Sequence, residues 1–268
     1  MRSMTAVPVE TLLWQHVRTL PYFRAFLRAI EASFYQGRDL PAPTLDLGSG
    51  DGHFAAVTFP RPLDVGLDPW WAPLRAAARW PGHRLRVQAD GAAMPFAPAS
   101  FASAVSNSVL EHIPQVDAVL RETARVLRPG APFLFTVPNH RFPRQLWGAR
   151  QLQALGLHHL AAAYGRWFNR ISRHAHTDPP AVWVERLQRA GFEVVEHWDY
   201  FPPAALAILE WGHPLGLPAL LVKALTGRWL LTSARWNVAH LYRWLLPYAR
   251  QPRHPQGAYT FFAARRRP

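Results

Sequence analysis

The chain has 268 residues, 49 % of them apolar and none of them cysteine. That is enough apolar side chain for a sizeable core in one domain, and the missing thiols exclude a disulfide scaffold, thiolate zinc and iron–sulfur sites and a cysteine nucleophile. The net charge is +13, of which 1–140 carries +2 (13 Arg, 11 acids) and 141–268 carries +11 (16 Arg, Lys223, six acids), so the second half attracts anionic material, be it nucleic acid, phospholipid or a charged metabolite.

Residues 1–10 lack a long apolar core and a small-residue cleavage pattern, so no secretory signal is expected. The uncharged, apolar-rich stretches 151–165 and 211–222 fall short of the roughly 18 to 20 apolar residues of a membrane-spanning helix. A soluble or peripheral cytoplasmic protein is the expectation. Apolar periodicity over 9–35, broken at Pro21, predicts two short helices, and 40–43 a linker. Strands are predicted at 44–47, 63–67, 85–88, 102–106 and 132–137, with helices at 52–59, 73–80 and 116–127 between them. Strand, glycine turn or polar tip, then helix is the repeat of an α/β fold with a parallel sheet. Beyond Pro138 the repeat breaks. One helix over 151–168, another over 180–190, a strand at 192–200, two or three apolar helices within 202–250 and a closing strand at 258–264 complete the reading. The last two strands belong at the sheet edge, in either order.

The strongest local signal is Leu45-Asp46-Leu47-Gly48-Ser49-Gly50-Asp51-Gly52-His53-Phe54. A strand runs into a turn whose glycines let backbone approach a ligand, and the next helix offers unpaired N–H groups. His53 stands where a dinucleotide-binding turn has its third glycine, and no P-loop lysine is present. About twenty residues on, Asp68 ends the second strand, where a carboxylate accepts hydrogen bonds from ribose hydroxyls or, alternatively, caps the helix after Pro69. Trp70 or Trp71 covers a purine ring or joins the core. Asp90, ending the third strand, suits an exocyclic adenine amine, with the N–H of Gly91 or Ala92 for a ring nitrogen. Three such strand ends in order lie along one crevice at the carboxyl edge of the sheet.

Residues 44–139 resemble the class I S-adenosylmethionine-dependent methyltransferases, in the type-11 methyltransferase-domain branch. The matching stretches are LDLGSGDG, VGLDP, ADGAAMPF, SFASAVSNSVLEHIPQVDAVLRETARVLRPG and FLFTVPN. GFEVVEHW and AYTFFAAR resemble that fold's sixth and seventh strands. The resemblance implies a Rossmann-like seven-stranded sheet with its last strand antiparallel, a helical extension over 1–43, a methyltransferase domain over 44–268, and inserts at 139–178 and 202–250 that form a substrate cap. It implies S-adenosyl-L-methionine as cofactor, with Asp46, Gly48, Ser49 and Gly50 around the methionyl part, Asp68 on the ribose, Asp90 and Gly91 on the adenine, and Ser106 and Asn107 near the methionyl amine. The helix after the glycine turn is short for the family, and Gly130-Ala131-Pro132 replaces a more usual double glycine.

A sulfonium methyl is already activated, so the protein has to align an attacking atom and, for a hydroxyl or acidic carbon, remove a proton. His112, beside Glu111, is the first candidate base and His140 the second; a structural role for His112 at the start of the next helix competes with this. His174-Ala-His176-Thr-Asp178 has no signalled fourth ligand, so no metal site is read there; the segment reads as a pocket loop ending in an N-cap at Thr177 or Asp178. The insert 202–250, with Trp211, Trp229, Trp236 and Trp244 and Glu210 as its one acid, suits a membrane interface, a homodimer face or a pocket roof. Singly scattered arginines and Ser106-Asn107-Ser108-Val109 in place of an Asn-Pro-Pro-Tyr strand ending weigh against nucleic acid. The expectation is methyl transfer to a small, hydrophobic, lipid-like acceptor at oxygen or carbon. RNA or protein methylation and a catalytically inactive cofactor binder are the alternatives.

Overall fold

The computed structural model describes residues 6–227, 229–230, 232, 234–251 and 253–268. Strand β1 (Thr44–Leu47) is buried along its length, as a central strand covered on both faces must be. β2 (Leu63–Asp68) and β3 (His83–Gln88) extend the sheet in parallel on one side, β4 (Ser103–Asn107) and β5 (Pro132–Pro138) on the other. With β6 (Phe192–Tyr200) and β7 (Tyr259–Arg266) the order is β3-β2-β1-β4-β5-β7-β6. β7 runs antiparallel between β5 and β6. Side-chain burial explains the choice the sequence left open: β7 is buried on both faces from Tyr259 to Ala264, whereas β6 alternates as a half-solvated edge does.

One face of the sheet is covered by α5 (Val116–Val126) and α9 (Pro180–Arg189), which bury Val119, Leu120, Trp183 and Leu187 against Phe133, Phe135 and Phe262. The opposite face carries α1 (Val9–Val17), α2 (Tyr22–Tyr35) and α3 (His53–Thr58), joined there by α6 (Phe142–Gln145), α7 (Trp147–Ala154) and α8 (His158–Ile171). α4 (Trp71–Ala76) follows β2, and the second insert folds as α10 (Pro203–Leu215), α11 (Leu217–Thr226) and α12 (Arg235–Ala249). Helices α1 and α2 share one apolar core with α10 and α12, through Leu13, Phe26, Ile30, Leu206, Leu209 and Leu245.

Two local expectations are corrected. The helix over 151–168 is two helices, because Gly156 adopts φ +75° and turns the chain between α7 and α8. The cap before α9 is Pro179, with no side-chain bond; Asp178 instead pairs with Arg186 and His176.

Candidate functional site

Gly48, Gly50 and Gly52 adopt φ of +75°, +56° and +71°, a left-handed backbone that glycine takes at no steric cost. The turn is pinned to β2, since the N–H groups of Gly48 and Ser49 donate to the Leu67 carbonyl at 2.8 and 3.0 Å. A Cβ on Gly48 would lie 2.3 Å from Val109, whereas one on Gly50 would meet nothing within 4 Å. Gly48 therefore lets the loop after β4 close in, and Gly50 leaves space for a ligand. Ser49 keeps a buried hydroxyl with no hydrogen-bond partner in the same wall, a cost a polar ligand would remove.

Asp68 is buried at the tip of β2 and accepts the Gly50 N–H on Oδ2 (3.0 Å) and the Trp70 N–H on Oδ1 (2.9 Å). It thus performs the turn-capping role and still has a lone pair on each oxygen for a ligand hydroxyl. Burial pushes its carboxyl up, against the pull of those two N–H bonds. Asp46 is differently engaged: its Oδ2 meets His83 Nε2 at 2.8 Å, both side chains being buried, and Gly66 makes room, since a Cβ there would sit 2.8 Å from the His83 ring. Asp46 lines the cavity but spends one oxygen bracing β1 to β3. Asp90 is exposed and accepts the Ala92 N–H at 2.9 Å, which takes one of the two N–H groups assigned to an adenine nitrogen and leaves Gly91 for that role. A Cβ on Gly91 would press on Leu47 at 3.2 Å and on Val119 at 3.3 Å, so its bareness also serves packing.

At the end of β4 a residue absent from the sequence reading takes over. Glu31 of α2 is fully buried and accepts Asn107 Nδ2 (2.7 Å), Ser108 Oγ (2.7 Å) and Tyr200 OH (2.8 Å). Thr136 donates to the Asn107 carbonyl oxygen at 3.2 Å. Asn107 is therefore oriented by protein groups on both ends of its amide, and Ser108 is held at φ +50°. Burial raises the Glu31 carboxyl despite its three donors.

Two cavities meet here. One, about 1000 Å³, is bounded by the glycine turn, Asp46, Asp51, His53, Asn107 and several arginines. The other, about 1390 Å³, is walled by Phe23, Phe142, Phe168, Leu209, Trp211 and Tyr259. Arg24, Ser108 and Trp229 line both. Trp70 lines the apolar cavity, not the one at the glycine turn, is 71 % exposed and takes no part in the core. Trp229, one of the insert tryptophans suited to a membrane interface, a homodimer face or a pocket roof, lines both cavities, with its ring between Arg24 and Lys223.

His112 lines the apolar cavity. Its Nδ1 lies 3.0 Å from the Arg173 carbonyl, which can only accept, so a neutral ring carries its proton there and leaves Nε2 as proton acceptor. Burial lowers its pKa, which keeps the ring neutral near pH 7. Glu111, 3.7 Å from Nε2, is buried in the same wall with one oxygen unpartnered and its carboxyl pushed well up by burial. His140 is not brought to the site: it lies on the turn after β5, outside the residues lining either cavity. His174 packs on Phe142 and His112 while His176 turns to the Ile113 carbonyl, and among the described residues no cluster of three or more His, Asp or Glu can hold a metal. Glu210, the lone acid of its insert, has a structural task, accepting the N–H groups of Trp147 and Gly148 at the start of α7 and the Tyr164 hydroxyl.

A family model for the methyltransferase domain matches residues 14–197, well over half of the chain. An uncharacterized methyltransferase of Mycobacterium sp. (strain JLS) is 36 % identical over 87 residues, 32 % of this chain and 34 % of that protein. The chain thus spans about a third of the length of such curated relatives. The 2-phytyl-1,4-naphthoquinone methyltransferase of Thermosynechococcus vestitus is 32 % identical over 171 residues, 59 % of this chain and 75 % of that one. Among solved structures, the cyclase SpnF superposes with a TM-score of 0.53 at 19 % identity, covering 91 % of this chain and 82 % of its own. A Thermotoga maritima S-adenosylmethionine-dependent methyltransferase gives 0.51 at 14 %, covering 91 % and 89 %. These two carry the fold alone. The strand order, the glycine turn with its acidic strand tips and the family match together identify the chain as a member of the class I S-adenosylmethionine-dependent methyltransferase family.

Proposed function

We propose that the protein transfers a methyl group from S-adenosyl-L-methionine to a small hydrophobic acceptor, at oxygen or carbon. The observation that carries this is the junction of a polar cavity at the glycine turn with a larger apolar one at Ser108, Arg24 and Trp229. The left-handed glycine turn, the orphaned Ser49 hydroxyl and the free lone pairs of Asp68 fit the methionyl and ribose parts of the cofactor, and Asp90 with the Gly91 N–H fits its adenine. When bound, the cofactor supplies an activated methyl on a sulfonium. The chain's own share is alignment: Glu31 fixes Asn107 and Ser108, while the insert helices α8 and α10 wall the acceptor chamber. His112 Nε2 takes the acceptor's proton where one must leave. The Thermosynechococcus relative, named for a phytyl-bearing naphthoquinone, supports an apolar acceptor.

Titration calorimetry with S-adenosylhomocysteine, NAD and ATP tests the cofactor reading, and binding of NAD without the sulfur ligand would sink it. Asp68→Ala should weaken S-adenosylhomocysteine binding by roughly 1.5 to 3 kcal/mol. With an acceptor in hand, His112→Gln should slow turnover at least about tenfold at unchanged cofactor affinity. Cofactor binding without turnover on any apolar acceptor would favour the inactive binder, and turnover on RNA or protein would replace the acceptor class.

A second reading concerns the source of the acceptor. Trp147, Trp167, Ile171, Trp211 and Leu220 line the apolar cavity yet are 41 to 51 % exposed, so the mouth is ringed by apolar side chains in the basic half of the chain. A cytoplasmic protein attached peripherally to an anionic bilayer would present its acceptor cavity to lipid in this way. A homodimer covering the same ring is the competing outcome. Among the described residues no single helix is long and apolar enough to cross a membrane; 203–214 and 219–226 together are, but bent by 53°.

A further inference from the structure

The polar cavity carries more positive charge than its proposed cofactor accounts for. Its walls hold Arg18, Arg24, Arg28, Arg79 and Lys223. Among the described residues none of these five has a carboxylate within ion-pair distance. The two acids among its lining residues offset little: Asp46 is bound to His83, and Asp51 stands as one carboxylate beside Arg28 and Arg24, which hold it below its usual range against the upward push of burial. S-adenosylmethionine itself bears a sulfonium, an ammonium and a single carboxylate, so it brings net positive charge to a positive wall. Arg18, Arg79 and Lys223 are exposed, but Arg24 and Arg28 are half-buried; an unpaired guanidinium withdrawn from water is costly, and the imbalance around Arg24 calls for another anion.

The position of that anion follows from Arg24 and Lys223. Arg24 lines both cavities, and its guanidinium lies 5.0 Å from the Trp229 ring centroid, with Lys223 Nζ 3.9 Å from the same ring. Trp229 also lines both cavities, so it gathers two cations beside the apolar chamber. Desolvation has pulled the Arg24 pKa down to about 10, the mark of a poorly hydrated charge.

We infer that the acceptor is an amphiphilic anion, with its apolar body in the chamber walled by Phe23, Phe168 and Leu209 and a carboxylate or phosphate group at Arg24 and Lys223. This deepens the methyl-transfer reading and rests on it for the identity of the neighbouring ligand. Electrostatic pairing at the junction selects the anion, and the chamber selects the chain behind it.

The test is calorimetry on the full chain saturated with S-adenosylhomocysteine, using dodecanoate, dodecyl phosphate and dodecanol below their micellar concentrations. Both anions should bind at least about tenfold more tightly than the alcohol. The Arg24→Gln/Lys223→Gln double variant, shown folded by circular dichroism, should lose that preference and bind dodecanol as before. Equal affinities in the native protein, or a preference that survives in the double variant, would overturn the inference. So would a native protein without anion preference whose double variant loses S-adenosylhomocysteine affinity, because the cations would then serve only the cofactor's carboxylate. Failure of the native protein to bind S-adenosylhomocysteine would instead remove the methyl-transfer reading, and the three amphiphiles compared on the ligand-free protein would still decide the anion preference.

Discussion

The two cavities that meet at Ser108 are assembled by opposite means. The polar one takes most of its uncharged and acidic polar groups from the ends of β1 and β4, where they stand in short contiguous runs such as Gly48–Asp51 and Asn107-Ser108. The apolar one takes Phe23 from α2, Phe142 from α6, Phe168 from α8, Leu209 from α10 and Tyr259 from β7. A polar group held at a strand tip needs one particular backbone turn, so it leaves a motif. An apolar wall accepts many residues of suitable volume, so it leaves only composition. The contrast teaches where each half of the site is vulnerable.

The largest loss should come where the halves share a support. Glu31→Ala removes the acceptor for Asn107, Ser108 and Tyr200 at once, leaving buried donors unpaired at a cost of roughly 3 to 5 kcal/mol. Urea unfolding should show this, along with loss of S-adenosylhomocysteine binding. A variant of native stability would mean that Asn107 and Ser108 are positioned without α2.

Gly48→Ala damages the polar half alone. It combines a left-handed backbone with a Cβ 2.3 Å from Val109, for about 3 kcal/mol. Gly50→Ala carries the backbone strain without the collision, since its Cβ would meet nothing within 4 Å, and should cost about 1 kcal/mol. Thermal melts of the two variants measure the difference; equal losses would show that the close approach of Val109 is unimportant.

These positions also mark what could be read in advance. The seven strands and the glycine turn were legible because strands alternate with helices; Asp68 and Asp90 stand at strand tips as expected, but neither they nor Gly91 are among the residues lining the two cavities, whereas Asn107 lines the polar one. Glu31 was not, since an isolated Glu within an amphipathic helix looks like a solvated surface residue until folding places it under β4. Arg24 was hidden for the same reason, and the cavity that both serve exists only after α2 packs on the sheet. His140 looked equivalent to His112 because both follow strands. The difference lies in the turn after β5, where Asn139 bonds to Gly257 and Thr260 and ties the loop toward β7 instead of the cavities.

The pH response separates the buried acids from the buried histidines and acts on both halves alike. Burial raises the carboxyls of Glu31 and Glu111, so the folded state keeps protons that the unfolded chain releases above about pH 4.3. Their contribution to stability is full below that pH and is lost as pH rises through the raised values. His53, at the polar cavity, and His174, at the apolar one, act in the opposite sense. Burial brings their pKa values to about 4 and about 3, so their contribution is present above the ordinary 6.5 and is lost as pH falls through the lowered values. Each group can impose a slope of at most about 1.4 kcal/mol per pH unit. Urea midpoints measured across pH should fall on both sides of a plateau. Glu111→Gln should flatten the alkaline limb only, and an unaltered limb would show that Glu111 already ionises freely.

The smallest effect on the fold is expected on α11, whose Leu220 lines the apolar cavity. Leu221 and Leu225 are 67 % and 85 % exposed, so Leu221→Ser/Leu225→Ser should change stability by no more than about 0.5 kcal/mol per site. On a bilayer the same side chains would be buried, at a gain of up to about 1.5 to 3 kcal/mol each, and the excess of basic residues in 141–268 adds attraction to anionic headgroups. The native protein should float with anionic vesicles and do so less at high salt, because the charge contribution is screened within about 10 Å at 0.1 M. The double variant should lose at least about tenfold in partitioning while keeping its melting temperature. Absence of vesicle binding in a native protein that has the mass of a dimer would assign the exposed apolar ring to a second copy of the chain. The contrast between the cavities would remain, but the apolar one would then open onto protein instead of lipid.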